Sequence, residues 1–341
     1  MDSSKKAPAR SVLIVARLLT MLVSLTGAEA MLWFAGYPPW WGMSANTGGA
    51  AAEYECDPDL GWRLRQGSFD LVWPDRPNGA HYTNWSGGRR ATAVADTAED
   101  ASNRPRVLFF GDSYVQGYEL SDQSTLPWIV QQHHPELRVS NFAAGNYSTY
   151  QAYLAMKKWV HGSASVYYLF STFLEARNAA APSWLRIFKK PPPGCFYPYA
   201  ELSGGELQPR RSDGDVVWPL SRRIRLVAMV EEYTEIAESY LRVRNQRKLT
   251  ETLLAKMNEA VGTEGGQFTV ILFDLAPAER NEYREFLSSE KIRFIDCDRP
   301  EMKDKKLRLA DGHPDQGLNE LVARWIEPLN VVAGQTVARK N

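Results

Sequence analysis

The sequence predicts an α/β protein: a doubly wound parallel sheet of five strands, preceded by an N-terminal transmembrane helix and a small β-rich extension. Three observations predict it. Between residues 105 and 330, short apolar runs alternate with helical segments, the pattern of a parallel sheet covered by helices on both faces. Residues 11–36 are apolar almost throughout, and a bilayer span takes roughly 20 such residues. From 54 to 90, short aromatic and apolar pieces are separated by Asp-Pro, Gly-Ser, Arg-Pro-Asn-Gly and Gly-Gly turn signals.

Composition narrows the partners. The chain has 341 residues, 44% hydrophobic and 23% charged, which is globular and not disordered composition. Lys and Arg number 40, as do Asp and Glu, so no net field favours nucleic acid. The 11 Trp and 15 Tyr suit carbohydrate or membrane-interface contacts as well as core packing. Cys56, Cys195 and Cys297 lie far apart without Cys-x-x-Cys spacing, so no metal is expected, and no cofactor either. One disulfide is open to them if the domain is extracytoplasmic, with its pairing undetermined. Oligomeric state is not legible.

The elements follow in order. Lys5, Lys6 and Arg10 precede the apolar segment; Tyr37, Trp40 and Trp41 follow it. Basic residues before and aromatics after predict residues 1–10 as a cytoplasmic tail and the remainder on the periplasmic side. Arg17 can snorkel to the headgroups. Ala28-Glu29-Ala30 is similar to a small-x-small signal-peptidase site, which would make the segment a cleaved secretory signal. The apolar run continues past it through Met31 to Gly36, which favours an uncleaved signal anchor. Residues 37–104 hold a small-residue linker (44–52), the β-rich extension and a polar connector (91–104). Asn84-Trp85-Ser86 matches the glycosylation sequon. His81 is read as a surface or packing residue.

Arg106–Phe110 is the first core strand, buried and halted at Gly111-Asp112-Ser113. Glycine permits a turn where a Cβ would clash. A helix covers Leu126 to His133, a second strand 137–142, a helix 150–159 and a third strand 165–172. Residues 178–221, rich in Pro and Gly, read as an irregular insertion of the kind that walls a substrate site. Arg222 to Val261 reads as one long helix with an apolar stripe at Ile224, Val227, Val230, Ile236 and Leu241, continued by Leu249, Leu253, Leu254 and Met257. A fourth strand (267–275), a charged surface helix (279–289), a fifth strand (291–296) and a closing helix (315–326) complete the domain. Residues 331–341 are a tail.

Ligands of open α/β sheets bind at the carboxyl ends of the strands, where Ser113 lies. A serine hydroxyl needs an adjacent base. His133, His134 and His161 sit at helix ends; His313 sits in the loop before the last helix, beside Ser113 in this topology. Asp311, two residues earlier, can orient it through Nδ1, giving the chain order Ser, Asp, His. Asp112 reads as a cap of the turn or the following helix. Glu119 and Asp122 read as a solvated face. Asp274 is placed at the pocket edge, and Arg177 is a partner for a substrate carboxylate or for Glu175.

Gly111-Asp112-Ser113 after an apolar strand, with Asp311-Gly312-His313-Pro314 near the C-terminus, resembles the SGNH/GDSL hydrolase superfamily over roughly 105–330. Asp57 to Trp62, Arg177-Asn178 and Ser183 to Leu185 are similar to elements of its bacterial membrane-anchored members. The resemblance implies a flavodoxin-like five-stranded sheet and a serine esterase, with Ser113 as nucleophile and oxyanion donor, His313 as base and Asp311 as its partner. It places the second oxyanion N–H at Gly145 or Asn146. The family's Gly-x-Asn-Asp block is missing, leaving Thr172, Ser171 or Asn178 to substitute. Implied substrates are small-molecule or glycan esters, such as O-acetyl groups on envelope carbohydrate, or a lipid-like ester. The alternatives are an O-acyltransferase on an exported polysaccharide and a non-catalytic exported binding domain.

Overall fold

The computed structural model describes residues 10–39, 52–73, 76–96, 104–187, 195–212 and 218–326. Most of the 44–52 linker, residues 97–103 of the connector, Pro191 to Gly194, Asp213-Gly214, Trp40, Trp41 and both terminal tails lie outside them, apart from Arg10. The chain forms two compact units, one from residues 1–43 and 215–240, the other from 44–214 and 241–341.

The described elements begin with α1 (Arg10–Phe34), β1 (Tyr54–Asp57), β2 (Gly61–Leu64), β3 (Gly67–Trp73), β4 (Arg76–Trp85) and β5 (Arg89–Arg90). Then come β6 (Arg106–Phe110), α2 (Ser113–Gln116), α3 (Leu126–His133), β7 (Arg138–Asn141), α4 (Thr149–Trp159) and β8 (Ser165–Phe170). α5 (Leu174–Asn178), α6 (Pro182–Ile187), β9 (Tyr197–Ser203), β10 (Glu206–Ser212), α7 (Arg225–Arg244) and α8 (Gln246–Thr263) follow. β11 (Gln267–Leu272), α9 (Pro277–Ser289), β12 (Arg293–Asp296) and α10 (Gln316–Ile326) close the chain.

The main sheet has the order β12-β11-β8-β6-β7-β5-β4-β3. From β12 to β7 the pairs are parallel, and β7, β6, β8, β11, β12 give the doubly wound order 2-1-3-4-5. All six residues of β8 are buried, because a central strand covered on both faces carries no polar alternation. Leu108 and Phe110 pack with α4, α8 and α9 on one face; Val107 and Phe109 pack with α3 and α10 on the other.

Four sequence expectations are corrected. The sheet has eight strands rather than five, because β5, β4 and β3 of the extension continue it antiparallel from β7 through Arg90 and Asn141. This covers an edge that β7 would otherwise leave open. The insertion is not irregular throughout: it carries α6 and the β9–β10 hairpin, whose turn uses Gly204 and Gly205 at φ 61° and 87°. The long helix breaks at Asn245 into α7 and α8. Leu249, Leu253, Leu254 and Met257 are buried, whereas Val230, Ile236 and Leu241 are exposed. Glu119 and Asp122 are buried, not solvated: Asp122 accepts from Thr83 N at 3.0 Å and Arg90 Nε at 3.2 Å, so the extension strands cover it.

Cys56 and Cys195 form a disulfide that ties β1 to the segment entering β9, and Cys297 is free and buried. Asn84 of the sequon is buried and donates to Glu53 O. His81 is exposed and pairs with Asp70 at 2.7 Å.

Candidate active site

The turn at Ser113 follows from its glycine and its cap. A Cβ on Gly111 would lie 2.7 Å from Val115 Cγ2, so only glycine lets the chain fold back this tightly onto α2. Asp112 is the N-cap of α2 and accepts from Tyr114 N at 3.1 Å. Ser113 is therefore held at the first position of a short helix, at the carboxyl end of the central strand β6.

The loop before α10 brings His313 to it. His313 Nε2 lies 2.9 Å from Ser113 Oγ, and His313 Nδ1 lies 2.7 Å from Asp311 Oδ2. The same carboxylate accepts the His313 backbone N–H through Oδ1 at 3.0 Å. One intervening residue therefore suffices: Gly312, at φ 92°, supplies the left-handed turn that folds the carboxylate under the ring. Burial pushes the Asp311 carboxyl up, but hydrogen bonds from the His313 ring and backbone, and the ring's charge, outweigh it and hold the group below the usual range. An ionised carboxylate only accepts, so the proton of this pair sits on Nδ1, and in the neutral ring Nε2 is then the acceptor that faces the serine hydroxyl.

Arg308 fixes this loop. Its Nη1 donates to Gly312 O at 2.9 Å and its Nη2 to Met302 O at 3.0 Å, with Asp274 Oδ2 at 3.2 Å. Asp274 thus acts through Arg308, at the sheet edge where the sequence placed it. The His313 ring packs against Tyr114 and Tyr118, with centroids 5.0 and 4.8 Å away.

Strands β7 and β8 flank β6, so the segments that leave them flank Ser113. After β7 the chain turns at Gly145-Asn146. A Cβ on Gly145 would sit 2.5 Å from the Tyr54 hydroxyl. Its N–H faces that hydroxyl, and its carbonyl accepts from Trp62 Nε1 at 3.1 Å. Gly145 is therefore knit to β1 and β2. Asn146 is exposed, stands at φ 65°, and its N–H has no protein acceptor among the described residues. Of the two backbone N–H groups, that of Asn146 is the one without a partner among the described residues.

The third block is differently engaged. Asn178 donates to Thr149 Oγ1 at 3.0 Å and Thr250 Oγ1 at 2.8 Å, which uses both its N–H bonds; it is a buried packing residue, not a site donor. The Ser171 hydroxyl donates to Phe273 O. Thr172 is partly buried, and Phe173 beside it is exposed. Arg177 corrects its expectation as well. It pairs with Asp112 Oδ2 at 2.9 Å, not with Glu175, which is taken by Tyr283 at 2.8 Å and Arg247 at 2.8 Å. Arg177 Nη1 also donates to Tyr147 O at 3.0 Å, and its guanidinium lies between Phe173 and Trp184 at 4.7 and 4.2 Å. One guanidinium thus joins the Ser113 turn to the Asn146 turn.

Arg90 was not found from sequence. Fully buried, it donates to Gln116 O at 3.0 Å and Gly117 O at 2.8 Å, closing the C-terminal end of α2 with a cation. Nothing in its Gly-Gly-Arg-Arg setting marks it. Trp62, which braces Gly145, was marked only through the Asp57–Trp62 element, and Tyr54, which braces it too, was not marked. No cluster of His, Cys, Asp and Glu suited to a metal occurs among the described residues.

No family model matches the chain, and no curated protein matches it by sequence. Solved structures do. TesA is 12% identical with a TM-score of 0.37, over 65% of this chain and 96% of its own. A candidate acylhydrolase from Bacteroides fragilis is 11% identical with a TM-score of 0.37, over 66% of this chain and 86% of its own. The YxiM protein of Bacillus subtilis is 10% identical with a TM-score of 0.37, over 65% of this chain and 55% of its own.

Proposed function

We propose that the chain is a serine esterase of the SGNH/GDSL type, held at a membrane by α1 with its catalytic unit outside the cytoplasm. The observation that carries this is the unbroken path Ser113 Oγ–His313 Nε2–His313 Nδ1–Asp311 Oδ2, at 2.9 and 2.7 Å. His313 takes the hydroxyl proton as Ser113 Oγ attacks the ester carbonyl, and Asp311 stabilises the imidazolium. The tetrahedral oxyanion is received by the N–H groups of Ser113 and Asn146. Collapse breaks the bond to the alkoxy oxygen, which leaves with the proton from His313. Water, deprotonated by His313, then cleaves the acyl-enzyme and regenerates the serine.

The substrate class is an exposed ester, such as an O-acyl group on envelope carbohydrate. Two observations support the compartment. The Cys56–Cys195 disulfide suits an oxidising space. The exposed 25-residue apolar helix α1 suits a span. Its Glu29 caps α7 through Arg225 N and Leu226 N, both at 2.9 Å, a contact that cleavage after Ala30 would remove. A fluorophosphonate probe should label Ser113 in the purified chain and fail to label Ser113→Ala. Folded chain that resists labelling would overturn the assignment.

A further inference from the structure

Helix α7 is inside out. Where it packs, it buries Ala228, Glu231 and Ser239; Glu231 is 0% exposed, accepting from Trp218 N at 3.1 Å and from the Ser221 hydroxyl. Where it meets solvent, it carries Val230 at 43%, Tyr233 at 66% and Tyr240 at 57% exposure. At 3.6 residues per turn, Val230, Tyr233, Ala237, Tyr240 and Leu241 fall on one stripe. A surface helix in water presents the reverse arrangement, and a continuous exposed apolar stripe marks an interaction face.

The occupant follows from what α7 is fastened to. Its first two backbone N–H groups are capped by Glu29, Arg225 Nη1 lies 3.3 Å from the same carboxylate, and Tyr37 bonds Glu232. The apolar surface of α1 runs on beyond Glu29, through exposed Met31, Trp33 and Phe34. The start of α7 is thus held level with the last apolar turn of α1, the depth of lipid headgroups if α1 spans. Tyrosine and aliphatic side chains on one stripe are the composition of an interfacial helix, with aromatic rings at headgroup level.

We propose that α7 is an interfacial helix that seats its Val230–Tyr240 stripe on the bilayer surface. This rests on the reading of α1 as an anchor. Glu232, Glu235 and Glu238 offset the arginines at its two ends, so the contact is apolar and needs no anionic lipid. Seating would hold the segment between 218 and 244 against the membrane by a second point besides α1.

The test uses the full chain with Cys297→Ser and single cysteines at Tyr233, Tyr240 or Glu238, labelled with an environment-sensitive fluorophore and reconstituted into phosphatidylcholine vesicles. Labels at 233 and 240 should shift to the blue and lose intensity when bromine-labelled lipid is included; the label at 238 should do neither. Chain that fails to float with the vesicles overturns both the anchor and the interfacial helix. Chain that floats but keeps water-like emission at 233 and 240 overturns the interfacial helix alone. Blue-shifted emission insensitive to brominated lipid, with cross-linking between copies at 240, would assign the stripe to a second copy and also overturn it.

Discussion

The two flanks of Ser113 are built in opposite ways. On the side of the proposed base one loop does everything: Asp311 holds both the ring and the backbone of His313, and Arg308 ties the loop to its own carbonyls. On the oxyanion side, Asn146 is positioned by pieces distant in sequence: Tyr54 and Trp62 on Gly145, and Arg177 on Tyr147. A short-range base can be assembled by local hydrogen bonds. The Gly145–Tyr147 turn depends on β1, β2 and the segment after β8 arriving together. Perturbations should therefore separate the flanks, with chemistry lost on the base side and geometry or stability on the other.

The largest effect belongs to the groups proposed to react. Ser113→Ala or His313→Ala should cut kcat by about 10⁴–10⁶ with thermal unfolding unchanged, in line with other triads. Asp311→Asn should cost about 10³–10⁴, since an amide cannot hold the ring tautomer in the same way; a ratio near unity in ester-hydrolysis assays would break the base-side account.

On the oxyanion side, Arg177→Met removes one partner of a nearly buried pair. It should destabilise by about 3–5 kcal/mol, and kcat should fall about 100-fold through misplacement while KM stays put. Arg177→Lys should recover stability more than rate, because one ammonium lacks the planar fork. Reducing Cys56–Cys195, whose partners are 139 residues apart, should cost about 2–5 kcal/mol. Urea melts with and without reductant would measure it, and the melts of His313→Ala should show the same difference.

The smallest effect concerns Glu53, next to Tyr54. Burial pushes its carboxyl up to about 7, despite the opposing pull of Arg90 and Arg65. The folded state keeps a proton that the unfolded chain gives up near 4.5, so stability is full below that pH, falls as pH rises towards about 7, and is level beyond. Glu53→Gln should remove this loss, gaining up to about 3 kcal/mol at pH 8 and little at pH 4. Equal gains at both values would show that Glu53 does not carry the charge penalty.

The same contrast explains what could be read beforehand. The parallel strands, α3 and the break at Gly111 were legible because buried runs and turn residues act locally. Ser113, Asp311 and His313 could be grouped beforehand because a turn after a buried strand and a loop before the last helix both fall at the carboxyl end of the sheet, and the structure places them within hydrogen-bond reach. Asn178 was misplaced because an amide side chain looks the same whether it meets an oxyanion or two threonine hydroxyls. Arg177 was given the wrong partner because Glu175 is near in sequence while Asp112 is near in space. The stripe of α7 was legible as a stripe, but which way it faces was not, because periodicity reports amphipathicity and not which face is covered.

By itself the sequence determined the order of the parallel strands' supporting elements, the strand-turn that presents Ser113, the Asp311-Gly312-His313 loop and the apolar N-terminal helix. Each is set by propensities, turn chemistry or hydrophobic period within about a dozen residues. Only the tertiary structure decided that the extension completes the sheet, that Cys56 meets Cys195, that Arg90 and Arg177 brace the Ser113 turn from distant segments, and that α7 turns its apolar face outward. Those depend on which buried charges and hydrogen-bonding groups find partners across the fold, and such pairing is fixed only when the whole chain has packed.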